Sequence, residues 1–356
     1  LAAAAIAGFS PLHFAWSRWV LTESMSTSLA LWLLAELLFC LHERRLRPVP
    51  LALLLAASFF VRYDAIALCV PVAIAGFVLH PPLQALRRGL LIALLMAVPI
   101  GGWSARNVAA GIPLMPQADY GVGHLRGQGY YDWLATWTSE FYEDTLASFP
   151  FAERKYSTVR IPERVLESSP RPADLQRLLQ DLSERDGEAM PAWIDREFAE
   201  LAQARRRQDP VHVWLVLPLQ RSASLWLAPA YSFGWRLELG TAAHLQVSEH
   251  GLAGVLAVAL ANPAKVAFKA AIAAYHLLLL AVFLFALWRA RRSLVTAGAP
   301  LLLAFSYAAA KTVFVVLLGQ ADPRLSVQPY ALMEVALVLM LAETLRRRRG
   351  EPNPAG

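Results

Sequence analysis

Runs of apolar residues recur along this chain at lengths suited to membrane crossing, and arginines punctuate them. A hydrocarbon core of about 30 Å takes about 20 apolar residues of helix. By that measure helices are expected over 24–41, 50–61, 65–79, 89–103, 267–288, 294–318 and 329–345, with 50–61 a short one. Residues 1–9 read as the closing half of another helix whose start lies upstream of Leu1. One set of loops holds Arg44, Arg45 and Arg47, then Arg87 and Arg88, then Arg289, Arg291 and Arg292, then Arg346 to Arg349. The short opposite loops hold Arg18, Arg62 and Arg324. One crossing order satisfies every loop under the positive-inside rule, with the arginine-rich loops cytoplasmic.

Between Asn107 and Asp209 the long apolar runs stop and charges become frequent. The pattern there changes to that of an amphipathic domain. Leu175, Leu178, Leu179 and Leu182 follow Pro172 at helical spacing, and Trp193, Ile194, Phe198 and Leu201 share one face of a second helix. Residues 211–227 are apolar but enclose Pro218 and Arg221, so the segment either spans or, the favoured reading, lies in the interface. The expected organisation is transmembrane helices over 1–103, an extracytoplasmic domain over 104–266, further transmembrane helices over 267–349 and a disordered tail over 350–356. The fold class is an all-α polytopic membrane protein with a mainly helical extracytoplasmic insert.

Composition sharpens this picture. Hydrophobic residues make up 57% of the chain and charged residues 17%, against about 45–50% and about 25% in ordinary globular domains. The net charge of +6 does not mark nucleic-acid binding, because the arginines sit at helix ends and no zinc-finger or RNA-binding signature accompanies them. Cys40 and Cys69 lie inside apolar runs and read as small buried hydrophobes. His124, His212, His244 and His250 fit no metal-binding spacing, so no metal or cofactor is expected.

Some polar residues stand out against the apolar background. Lys311 is placed about 10 Å deep from the outer end of its helix, where an ionisable group is a site candidate by default. It either meets a lipid phosphate or snorkels. Arg62 and Asp64 lie where two short spans meet outside, and either pair with each other or face an anion. Glu36 lies about 20 Å along the axis from Glu23, near the inner face, where Arg44 or Arg45 is its expected partner. The aromatics Tyr120, Tyr130, Tyr131, Trp133, Trp137, Phe141 and Tyr142 either line a sugar site or form a core or membrane belt.

Several segments together resemble the GT-C glycosyltransferases, nearest the bacterial relatives of the protein O-mannosyltransferases and of the aminoarabinose transferase for lipid A. Ser10-Pro11, then Ser17-Arg18-Trp19-Val20-Leu21-Thr22-Glu23, resembles the family's proline-marked outer loop and the acidic residue opening the next helix. Val61-Arg62-Tyr63-Asp64 is similar to its arginine at an outer turn. Pro99, Trp103-Ser104-Ala105-Arg106-Asn107 and Gly111, followed by Gly121, Leu125 and Gly127, resemble its exit from the membrane. Asp209-Pro210, Leu217, Arg221 and Leu225-Trp226 resemble the segment before its later helices. Asp322-Pro323-Arg324 with Pro329 is similar to a last outer turn, although Leu325 stands where the family usually has tyrosine.

The resemblance implies an inverting enzyme that moves a sugar from a polyprenyl-phosphate donor to a lipid, glycan or protein acceptor on the outer face of a bacterial inner membrane. It implies Glu23 as a secondary acidic catalytic residue, and Arg62, Asp64, Arg106, Asn107 and Arg324 as substrate-binding residues, to which the depth of Lys311 adds that lysine. The family's principal catalytic aspartate lies in an outer loop before the helix with which this chain opens, so the chain alone is expected to be inactive. The expected partners are the polyprenyl-phosphate sugar, the bilayer and an acceptor that the sequence does not name. Glu23, beside Thr22, also suits a plain helix N-terminus. A transporter or lipid-carrier flippase is the alternative, although such proteins more often show repeated halves and broken helices at the midplane.

Overall fold

The computed structural model describes residues 22–110, 128–140, 143, 146–147, 154–227, 241–293, 298–317 and 326–348, and for a few of these, Thr22 and Glu23 among them, the backbone alone. Every regular element among the described residues is helical. The chain divides into two compact units, one of Leu1–Leu114, Tyr275–Phe314 and Arg324–Gly356, the other of Met115–Ala274 and Val315–Pro323.

The first unit begins with α1 (Thr22–His42) and α2 (Pro48–Val61), followed by a 3-10 run over Tyr63–Leu68, α3 (Cys69–Leu79) and α4 (Pro82–Ala109). Helix α1 ends where Arg44 takes a left-handed backbone conformation, φ 51°, which turns the chain back toward α2. Pro48 then occupies the first turn of α2, where its missing N–H costs nothing. Helix α2 rises only about 21 Å, less than the hydrocarbon thickness. The chain reverses at Arg62, which is extended at φ −152°.

Helix α4 differs from its expected 89–103. Pro81 and Pro82 start it directly after His80, so Arg87 and Arg88 lie in its second turn rather than in a loop, and it runs on through Asn107. Glu36 also has a different partner from the one expected. It pairs with Arg47 at 3.2 Å, because the turn at Arg44 brings the returning chain, not the turn itself, back toward α1. Arg88 donates to the Leu46 carbonyl at 3.4 Å, tying α4 to the same turn.

Among the described residues five helices are long and apolar enough to cross a membrane: Ser24–His42 within α1, α4, Pro263–Ala290, Ala299–Leu317 and Val327–Arg346. Within the first unit Ala30, Leu33, Leu34, Leu37 and Cys40 bury one stripe of α1 against Leu51, Ala52 and Leu55 of α2 and their neighbours. The opposite faces expose Trp32, Leu53, Leu86, Leu90, Leu94 and Val98. A surface this apolar suits lipid, not water.

The second unit holds α5 (Gln128–Leu134), α6 (Glu163–Glu167), α7 (Pro172–Ser183), α8 (Ala192–Gln208), a π turn over His212–Val216, α9 (Leu217–Leu227) and α10 (Thr241–Ala261). Its core gathers Tyr130, Trp133, Trp137, Tyr156, Leu175, Leu178, Leu182, Ile194 and Phe198 with small apolar neighbours. The aromatics Tyr130, Trp133 and Trp137 are thus core. Tyr131 is half-buried, and Tyr120, Phe141 and Tyr142 lie outside the described residues. Helix α8 approaches α5 so closely that a Cβ on Gly129 would sit 1.9 Å from the Asp195 carbonyl oxygen. Asp195 repays the approach by accepting from the Tyr130 backbone N–H at 3.0 Å, satisfying a donor near the helix start. Trp193 is 42% exposed. The buried face of α8 is Ile194, Phe198, Leu201 and Ala202, which leaves Trp193 off the stripe on which it was expected.

Helix α10 was not expected from the sequence. It breaks at Gly251, whose φ of 55° and ψ of −127° suit glycine alone. The chain continues through α11 (Pro263–Ala290), α12 (Ala299–Leu317) and α13 (Val327–Arg348). The expected 267–288, 294–318 and 329–345 match these three to within a few residues at either end.

Candidate functional site

The first unit buries a polar cluster drawn from three elements. Arg62 and Asp64 flank Tyr63 where α2 gives way to the 3-10 run. The turn is closed by the Arg62 N–H donating to Ser58 O at 2.9 Å and the Ala65 N–H to Arg62 O at 3.1 Å. Extended backbone at Arg62 followed by a 3-10 turn puts both side chains together. Arg62 Nε meets Asp64 Oδ1 at 3.2 Å and Nη2 meets Oδ2 at 3.3 Å, the fork-on-carboxylate geometry that makes a strong, directed pair.

Lys311 approaches the same carboxylate from α12, with Nζ 3.3 Å from Asp64 Oδ2. It also donates to Gln328 Oε1 in the first turn of α13, and lies 3.3 Å from Tyr307 Oη, one turn earlier on its own helix. Tyr307 donates to Gln328 Oε1 at 2.5 Å. The Lys311 side chain is 1% exposed and that of Asp64 4%, whereas Arg62 keeps 19%. Snorkelling, one of the two readings of Lys311, is therefore excluded, because the ammonium ends inside the bundle on fixed acceptors. The oxygens of Asp64 are taken up by the two cations, so its role is to aim them rather than to accept a proton. Of the three, Arg62 alone retains enough surface to touch something outside the cluster.

Helix α4 brings Trp103 to Phe60 with ring centroids 5.6 Å apart. That contact sets Arg106 and Asn107, one turn on, at the end of the unit that carries Arg62. Arg106 is exposed and donates to Asn107 Oδ1 at 3.5 Å. Asn107 is buried, and its Nδ2 finds no acceptor among the described residues. Arg62, Asp64 and Lys311 are thus in contact, and Arg106 with Asn107 forms a second pair. Arg324 and the side chain of Glu23 lie outside the described residues.

A second polar group went unread in the sequence. Tyr275 on α11 donates to Glu334 Oε1 on α13 at 2.5 Å, and His276 stacks on Tyr330 with centroids 4.5 Å apart and planes 18° apart. His276, Tyr330 and Glu334 are all buried. The signal was present, since Glu334 interrupts an apolar run just as Lys311 does. Among the described residues no three of His, Cys, Asp and Glu gather closely enough to hold a metal ion.

In the second unit Arg221 is buried and donates to the carbonyls of Ala135 at 2.6 Å, Thr138 at 2.9 Å and Val316 at 3.4 Å. Ala135 and Thr138 follow the C-terminus of α5, and Val316 ends α12, so one guanidinium closes two negative helix ends. Burial lowers its pKa to about 10, and it stays charged at neutral pH. This arginine is a structural plug with no face left for a ligand. No family model, curated protein or solved structure matches the chain.

Proposed function

We propose that this chain is part of a GT-C-type membrane glycosyltransferase, which moves a sugar from a polyprenyl-phosphate donor to an acceptor on the extracytoplasmic face of a bacterial inner membrane. The observation that carries the reading is the meeting of Arg62, Asp64 and Lys311 at one carboxylate. Arg62 and Asp64 come from one turn and Lys311 from a helix distant in sequence, and the arginine pattern assigns that turn to the outside. In this reading Asp64 and Lys311 hold Arg62 rigidly, and Arg62 offers its remaining N–H groups to the lipid phosphate. A preorganised cation of this kind offsets charge on the departing phosphate. Arg106 supplies a second, more mobile cation, Glu23 supports the acceptor, and the exposed apolar helix faces bed the prenyl tail.

Membrane vesicles carrying the whole protein, given a labelled polyprenyl-phosphate sugar, test this directly. Arg62→Ala is expected to lower transfer about a hundredfold with membrane insertion unchanged, and Glu23→Ala to lower it less. Transfer at the unsubstituted rate in Arg62→Ala removes the assigned role. A second reading, a transporter or lipid-carrier flippase, draws support from the Tyr275–Glu334 pair and His276, since ionisable groups inside membrane spans often mark transport paths. In the same vesicles that reading predicts movement of the lipid-linked sugar between leaflets with no group transfer.

A further inference from the structure

We infer that residues 211–219 form an interfacial anchor that lies flat in the headgroup region of the bilayer. The inference does not depend on the glycosyltransferase reading. Val211, Trp214, Leu215 and Leu219 are all exposed, Leu219 at 62% and Trp214 at 63%. They fall at i, i+3, i+4 and i+8, one face of the π turn and α9. Val213, Leu217, Arg221 and Leu225 bury the opposite face.

A large apolar stripe on an otherwise charged domain calls for an apolar partner. Three observations select lipid. The stretch from His212 to Leu227 rises about 24 Å, short of the about 30 Å needed to cross. It is also barred from crossing by Arg221, whose bonds to the Ala135 and Thr138 carbonyls lock the helix to its own domain. Finally, the stripe carries Trp214, a residue type that settles at the membrane–water boundary, and exposed Arg207, in the last turn of α8, precedes it in the chain. A bilayer is always within reach, because the five long apolar helices belong to the same chain.

The test uses the whole protein with Cys40 and Cys69, both free, replaced by alanine, reconstituted in nanodiscs of phosphatidylethanolamine and phosphatidylglycerol. Spin labels are placed singly by Trp214→Cys, Leu215→Cys, Leu219→Cys and, as a water-facing reference, Gln208→Cys. All four positions are exposed, so the labels disturb no packing. The expected result is that labels at 214, 215 and 219 collide several-fold more often with oxygen than with a water-borne nickel chelate, at a shallow and similar depth, while 208 shows the reverse. Three results would overturn the anchor: nickel access at all four sites, which leaves the stripe in water; access by neither reagent, which places another protein surface over it; or a depth that increases steadily from 214 to 219, which makes the segment a span.

Discussion

The two units of this protein are built inside out relative to each other. The first turns Trp32, Leu53, Leu90 and Val98 outward and keeps Asp64, Lys311, Gln328, His276 and Glu334 inside. The second packs Trp133, Trp137, Tyr130 and Phe198 into its centre and spreads its charges outside, as in the Arg177–Glu197 pair at 3.1 Å and the Arg171–Asp174 contact at 4.0 Å. Each arrangement follows from a solvent. In water, apolar burial drives packing and exposed ion pairs contribute little. In lipid the outer face gains nothing from being polar, and the groups that specify which helices meet are polar and internal. The difference teaches where to look for function. Buried Arg221 in the second unit finishes its work on backbone carbonyls, whereas Asp64 and Lys311 in the first unit end on each other, with Arg62 partly open.

The largest expected effects set the two interiors against each other. Asp64→Ala takes from buried Lys311 the carboxylate it meets, and is expected to cost about 3–5 kcal/mol. Asp64→Asn combined with Lys311→Met removes the need as well as the partner and is expected to recover most of that loss. Unfolding of the detergent-solubilised protein measures both, and a double variant as unstable as Asp64→Ala would break the pairing. Phe198→Ala is the apolar counterpart. It empties a site in the aromatic core and is expected to cost about 3–5 kcal/mol, read as lost resistance of the second unit to proteolysis with the first unit unaffected.

A smaller effect probes Arg221, a charge that the second unit buries. Arg221→Leu strips donors from three carbonyls and is expected to cost about 1–3 kcal/mol, with Arg221→Lys falling in between. If Arg221→Leu proves neutral by the same proteolysis assay, the plug described here is not structural.

The smallest concerns pH. Tyr156 is buried and its phenol donates to Glu188 O at 2.9 Å, and burial pushes its pKa up from the ordinary tyrosine value. Its contribution to stability is therefore complete below the unfolded tyrosine pKa of about 10 and is lost as pH rises through that value toward the folded one. Tyr156→Phe is expected to lose about 0.5–1.5 kcal/mol at neutral pH and to flatten that alkaline decline. An unchanged alkaline decline in the variant would remove Tyr156 as its source.

Hydropathy located the spans because lipid imposes one simple demand on every helix, a length of apolar side chains, and this demand is local in sequence. For the same reason Arg62, Asp64 and Lys311 stood out, being charges beside or inside runs that tolerate none. Partner choice was less legible. Glu36 was expected to meet Arg44 or Arg45 and meets Arg47, since a single residue of positive φ decides which part of a turn faces the helix. The Tyr275–Glu334 contact joins residues far apart in the chain on α11 and α13, and helix-to-helix pairing leaves no periodic mark. Helix α10 was missed because its break at Gly251 divides it into two pieces, neither of them as long as a span. The N-terminal limit of α4 was misread because arginine was taken as a loop residue, although two prolines had already begun the helix.

The most direct test of the account is sugar transfer by the Asp64→Asn, Lys311→Met double variant in vesicles containing a labelled polyprenyl-phosphate sugar. The expected result is a protein that inserts and resists unfolding nearly as well as the unsubstituted whole protein yet transfers almost no sugar, because Arg62 has lost the pair that aims it. Transfer at the ordinary rate from that stable variant would contradict it and reduce the cluster to a fastening between helices.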